Sequence, residues 1–519
     1  MTKSIRGPGL WALVVLSLAP LQACTDLTET PSSAITPENF YRNEAEVLGG
    51  LAAVYSDLTS QQLLWNYYNV SEISSDEMIV PTRGQDWYDN GRWLEIHRQE
   101  WSATSGSGLD DIAGIWTISF RGVARANVVL DALSRVDITN EAVITAELRG
   151  LRAFYYYLLM DVFGGAPIVT DIEVKARARN TRAEVFQFIE SELLAISADL
   201  PATRPAGENG RLTRGAADAI LANMYLNAGV FTKDVGVSAT AYNSCSGVQV
   251  TGGADACQAA IDAADRILNS GVYQLADSFV KNFRHNNELS PENIFVAKHL
   301  NQPGLGLTFV QRALHYNQFS PSPWNGFSAL AQTYNAFDAN DQRRQIFLVG
   351  PQVNVETGQP ATDRNNQPLV FTPTIIDATS ATEGEGARIY KWPADPAHVA
   401  QENGNDFAYF RLGEMYLIKA EALNEQTPGS PAALLLVNTL RARAFNPPQP
   451  IAAVDRAALL QERLFELTAE GKRRQDLVRH GRYTEAWEFK TAGAPHLILM
   501  PIPQPQLDAN PLLVQNPGY

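Results

Sequence analysis

Leu148-Arg149-Gly150-Leu151-Arg152-Ala153-Phe154-Tyr155-Tyr156-Tyr157-Leu158, running on to Phe163-Gly164-Gly165-Ala166-Pro167, decides the fold class of this 519-residue chain. Leu151, Phe154, Tyr155, Leu158, Leu159 and Val162 recur there at helical spacing and make a continuous apolar stripe. The stripe predicts a helix over 147–163 that buries one face. The Gly pair ends it, and Pro167 prevents its continuation.

The same pattern recurs at 211–229, with Ala217, Ile220, Leu221, Met224, Tyr225 and Ala228, and at 410–424, with Leu412, Met415, Tyr416, Ala420 and Leu423. Small residues interleaved with rings resemble the packing faces of tetratricopeptide helices, although the strict repeat length of that motif is absent. A first helix is expected to start at Thr36-Pro37-Glu38-Asn39-Phe40, with Thr36 as cap and Pro37 in the first turn, and to continue over 44–58. Further helices are expected at 112–133, 182–200, 259–270, 431–444 and 457–477. Between 282 and 407 the periodicity weakens, while Pro, Gly, Asn and aromatics accumulate. Long loops inside one domain are usually functional. The predicted fold is therefore mainly α: a tetratricopeptide-like helical-repeat scaffold with long irregular loop insertions. It forms one domain over 36–519, with an N-terminal part at about 36–230 and a C-terminal part at about 270–519.

Outside that domain, Lys3 and Arg6 precede an apolar stretch over 10–18 that ends at Leu21-Gln22-Ala23-Cys24. The stretch is too short to stay in a bilayer, so 1–23 reads as an export signal. Cys24 after Leu-x-Ala looks like a bacterial lipobox, which makes 24–35 a lipidated tether. Acyl chains worth about 0.8 kcal/mol per buried methylene would hold it on a membrane. The net charge is -15, and the loss of Lys3 and Arg6 makes it more negative. This argues against nucleic acid and anionic surfaces as partners. Cys245 and Cys257 remain after Cys24, and they are read either as a disulfide, open to an exported protein, or as two free thiols. At the other end, the Pro-rich tail 496–519 is expected to be extended, with neither helix nor central strand.

Five segments together resemble the SusD/RagB family of outer-membrane nutrient-binding lipoproteins. They are the tail closing on Gln515-Asn516-Pro517-Gly518-Tyr519, the central helix with its Gly-Gly exit, Gly210-Arg211-Leu212-Thr213-Arg214-Gly215-Ala216-Ala217, Arg411-Leu412-Gly413-Glu414-Met415-Tyr416, and 463–481 with Glu466, Glu470, Gly471, Arg474 and Asp476. The resemblance implies a cell-surface lipoprotein of the outer membrane that binds a glycan or other polymer-derived nutrient. It would pass that ligand to a SusC-type TonB-dependent transporter, and it would be no enzyme.

The residues agree with a non-catalytic reading. G-x-S-x-G, H-E-x-x-H and Walker sequences are absent, and the seven His are scattered. A helical surface scaffold for protein assembly is one alternative, and a glycoside hydrolase built from two of the many carboxylates is another. A sugar binder needs flat rings flanked by hydrogen-bonding groups. Two loop segments supply them: Arg83-Gly84-Gln85-Asp86-Trp87-Tyr88-Asp89-Asn90-Gly91-Arg92-Trp93, and His315-Tyr316-Asn317-Gln318-Phe319-Ser320-Pro321-Ser322-Pro323-Trp324-Asn325. The candidate ligand-binding residues are Arg83, Trp87, Tyr88, Tyr316, Trp324 and Asn325, whereas Trp93, Trp101 and Trp116 are assigned to the core. No cofactor is expected. Asp338 and Asp341 could hold a structural calcium ion, but they read equally well as a solvated turn.

Overall fold

In the computed structural model, which describes residues 41–62 and 66–519, helices stack in sequence order. α1 (Glu44–Ser60) packs on α2 (Leu109–Leu133), α2 on α3 (Glu141–Phe163) and α3 on α4 (Arg182–Ile196). α4 packs on α5 (Arg214–Leu226), and α5 on α6 (Ala256–Leu268). α6 then meets α7 (Leu412–Gln426), which packs on α8 (Pro431–Ala444) and α9 (Arg456–Leu467). Neighbour-on-neighbour stacking of this kind is how helical repeats bury faces that one pair cannot bury alone. The Cys24 lipidation site, the tether and the Thr36 helix start lie outside the described residues. α1 is capped by Asn43, whose side chain accepts the Glu46 amide.

The stripe on α3 is buried completely, and the rings on its other faces are buried too. The Tyr155 ring rests on Gly122 of α2, where an added Cβ would come within 2.4 Å of the ring. Its hydroxyl donates to the Val54 carbonyl of α1 at 2.6 Å. The C-terminal tail explains its own wording here. Asn516 Nδ2 donates to the carbonyl of Phe163, the last residue of α3, at 3.0 Å and to that of Met500 at 2.7 Å. It thus satisfies a carbonyl that a helix end leaves open. The Tyr519 hydroxyl accepts from Trp101 Nε1 at 2.9 Å.

The long insertion leaves after α6 and returns into α7. Its neck is closed where β2 (Asn293–Ala297) pairs antiparallel with β6 (Phe407–Arg411). Within and beside it, a small antiparallel sheet has the order β1 (Met78–Ile79), β3 (Ser328–Ala329), β5 (Ala387–Ile389), β4 (Phe347–Leu348). Cys245 and Cys257 are joined in a disulfide.

Three expectations are corrected. The helix expected at 457–477 is two helices, α9 and α10 (Arg473–Arg479), because Ala469 and Gly471 turn left-handed at φ 65° and 75°. The helix expected from 410 starts at Leu412, since Phe410 belongs to β6. The tail holds a short helix, Gln504–Ala509, whose first turn accommodates Pro505 without loss of a needed donor.

The charges of the 463–481 segment are buried. Glu466 accepts from Arg411 at 2.7 Å, from Arg343 at 3.1 Å and also from Arg443. Glu470 accepts from Arg411 at 2.7 Å and from Lys391 at 2.5 Å. Arg343 also pairs with Glu462 at 2.7 Å and with Asp341 at 2.8 Å. Asp341, weighed for a cation in the sequence, is buried and grips this arginine, while Asp338 accepts the Asn340 amide. Among the described residues no group of three or more His, Cys, Asp or Glu is arranged to hold a metal ion.

Two buried carboxyls hold the turn between α9 and α10: Glu77 accepts the Ala469 amide at 2.9 Å, and Glu72 accepts that of Gly471. The two carboxyls interact with each other as well. Burial raises both, Glu72 from 4.5 to about 7 and Glu77 well above its ordinary value. A raised acid keeps its proton in the fold when the unfolded chain has lost it. Its stabilisation is therefore complete below 4.5 and fades as pH climbs through about 7. The limiting slope is about 1.4 kcal/mol per pH unit for each group. Glu72→Gln is expected to flatten that fall, so that the melting temperature of the variant gains on wild type between pH 5 and 8. Parallel curves across that range would refute the raised Glu72 carboxyl.

Candidate functional site

The two ring-bearing loops meet above the small sheet. Loop 83–91 leaves β1 through a tight turn in which Arg83 and Asp86 exchange backbone hydrogen bonds at 2.9 and 3.1 Å. Trp87, Asp89 and Asn90 then take left-handed backbone angles, with φ at 61°, 39° and 56°. Loop 314–327 crosses it, and Trp87 Nε1 donates to the Trp324 carbonyl at 2.5 Å. The Trp87 ring packs edge-on against Trp93 at 5.2 Å and Phe327 at 5.6 Å, and it stands 6.4 Å from the Trp324 ring. It lies against Gly326, where a Cβ would sit 2.4 Å from the indole. That glycine is what lets the indole settle between the loops.

Of the six candidate residues, Tyr88 is exposed, while Trp87, Tyr316 and Trp324 are half-buried. Arg83 and Asn325 are buried beneath them. Arg83 donates to the carbonyls of Asn325 at 2.9 Å, Glu385 at 2.7 Å and Thr382, and to the Ser328 hydroxyl at 3.1 Å. Asn325, left-handed at φ 53°, accepts from Arg388 at 2.8 Å through its side-chain oxygen. Both residues knot the loops from below. Burial pushes Arg83 down to about 10 and Arg388 well below its ordinary value. Trp93, Trp101 and Trp116 are buried in the core, as the sequence suggests.

Tyr316 is held differently from a free platform ring. The guanidinium of Arg364 lies over its face at 3.7 Å, and its hydroxyl donates to Asp86 at 2.5 Å. Burial and the adjacent Asp86 carboxylate raise its pKa to about 12. Arg364 Nη2 pairs with Asp86 at 2.7 Å, and the Arg364 amide donates to Glu383 at 3.0 Å. Glu383 also meets His315 Nε2 at 2.9 Å. Sequence reasoning missed Arg364 and Glu383. They sit in polar turns with no aromatic neighbour in sequence, and only the fold brings them to Tyr316.

A tetratricopeptide-like stack of helices with little sheet is the architecture of the SusD-like structures. The chain belongs to the SusD/RagB family. The family model described as "SusD family" matches residues 261–519, and that described as "Starch-binding associating with outer membrane" matches 51–226. The starch-binding protein SusD of Bacteroides thetaiotaomicron is 25% identical over 494 residues, covering 87% of this chain and 85% of that protein. Among solved structures, a laminarin-binding SusD-like protein superposes with a TM-score of 0.73 at 23% identity, over 92% of this chain and all of the other (100%). Surface glycan-binding protein A from Bacteroides thetaiotaomicron, in complex with laminarihexaose, has a TM-score of 0.71 at 20% identity, over 91% and 99% of the two chains.

Proposed function

We propose that this protein is a non-catalytic glycan-binding lipoprotein of the outer membrane, anchored through Cys24, which delivers oligosaccharide to a SusC-type TonB-dependent transporter. The observation that carries the reading is the loop-borne cluster of Trp87, Tyr88 and Trp324 beside the solvent-facing Asp86–Arg364 pair. Sugar rings offer apolar faces to indoles and hydroxyl edges to such groups. Trp87 supports it further, because a left-handed tryptophan costs roughly 1–3 kcal/mol and persists where its position is useful. Asp86 and Glu383, two carboxylates of these loops, are engaged with Arg364, Tyr316 and His315, which favours binding over glycosidic chemistry. Among the described residues no helix is long and apolar enough to cross a membrane.

The relatives named for starch, laminarin and laminarihexaose support a glycan as the ligand class, and the family description supports the outer membrane. Pull-down of the native lipoprotein from detergent-solubilised membranes, with mass spectrometry of what co-purifies, tests the delivery role. A stoichiometric TonB-dependent transporter is the expected companion. Recovery of the lipoprotein alone would remove that role and bring the assembly-scaffold reading forward.

A further inference from the structure

We infer that the site selects uncharged glycans over acidic ones, and that the Asp86–Arg364 pair sets this selectivity. The inference rests on the glycan-binding reading above and narrows its ligand class. Arg364 is an exposed cation at the platform, with 52% of its side chain open to solvent against 38% for Asp86. Its guanidinium is already committed. It is clamped by Asp86 at 2.7 Å, spread over the Tyr316 ring at 3.7 Å, and its Nε lies 3.6 Å from Glu383. A uronate or sulfate approaching it would have to settle beside two carboxylates. Like charges so placed repel, and their repulsion is how binding surfaces reject wrong partners.

Two cations beneath the rings are out of reach. Arg83 and Arg388 are buried, and their donors point to the carbonyls of Asn325, Glu383, Glu385 and Gly386. The net charge of -15 repels polyanions as a whole. An uncharged sugar meets no such penalty. The pair offers it a carboxylate that accepts and a guanidinium that donates, and a sugar hydroxyl can both donate and accept. Asp86 and Arg364 come from separate loops, and Tyr316 joins them by donating its hydroxyl to Asp86 while lying under Arg364. The polar edge is therefore fixed before a ligand arrives, which lowers the ordering cost of binding.

The test is an array of uncharged, uronate-containing and sulfated oligosaccharides of equal length, read with the full chain. Hits are then quantified by isothermal titration for wild type, Asp86→Asn and Asp86→Asn/Arg364→Gln. Wild type is expected to bind at least one uncharged glycan and to bind every acidic one at least about tenfold more weakly. Asp86→Asn releases Arg364 and is expected to close that gap by about tenfold, and the double variant is expected to reopen it. Tighter binding of an acidic glycan by wild type would overturn the inference while leaving the glycan reading intact. An unchanged ratio in Asp86→Asn, with its melting temperature within a few degrees of wild type, would also overturn it. If Asp86→Asn fails to fold, Arg364→Gln replaces it, with loss of affinity for the uncharged ligand expected and no loss counting against the pair. Binding of neither class by wild type would sink the glycan reading and the inference together.

Discussion

Glu466→Gln is expected to lower the unfolding free energy by about 3–5 kcal/mol, the cost of breaking a buried ion pair by removing one partner. The Glu466 carboxylate is fully buried and lies among Arg411, Arg443 and Arg343. These arginines reach it from β6, from α8 and from the insertion, so one carboxylate ties the insertion to the helical stack. Burial opposes its ionisation, but Arg443, Arg411 and Arg343 overcome that and hold it well below its ordinary value of 4.5. A depressed acid stabilises the fold above its unfolded value and loses that contribution as pH falls through the folded one. Glu466→Gln should thus lose most near neutral pH and show a smaller further loss on acidification. Urea unfolding followed by circular dichroism measures both. A loss under about 1 kcal/mol would mean that solvent reaches the cluster and screens it.

The second large effect is on binding. Trp324→Ala is expected to weaken oligosaccharide affinity about 30-fold or more, the loss of about 2 kcal/mol typical of a central aromatic contact. Its melting temperature should stay close to wild type, because the ring is half-buried at the loop surface. Trp87→Ala differs. It removes the same kind of contact but also empties the niche bounded by Trp93, Phe327 and Gly326, so stability should fall by about 2 kcal/mol as well. Isothermal titration and thermal melting of both variants separate the two roles. Equal affinity of Trp324→Ala and wild type would place the ligand elsewhere.

Much of the scaffold was legible in the sequence because helical periodicity survives wherever a face is buried, as at Leu151, Phe154 and Leu158. The break at Ala469 was not, since an alanine gives no sign of a left-handed turn. Its cause lies nearly four hundred positions away in sequence, in the buried carboxyls of Glu72 and Glu77. The burial of Glu466 and Arg411 was not legible either, because no local pattern tells a buried ion pair from an exposed one. The ring loops were recognisable by composition. Which polar residue faces outward was not: Arg83 and Arg364 look alike in sequence, and only the crossing of three loops buries one under the sheet and lays the other over Tyr316.

The most direct test of glycan binding on this platform is a crystal structure of the protein with an oligosaccharide hit from the array. We expect sugar rings stacked on Trp324 and flanking Trp87 and Tyr88, with hydroxyls within hydrogen-bond reach of Asp86 or Arg364. Sugar bound on the helical face, or anywhere that leaves Trp324 and Trp87 untouched, would contradict the account.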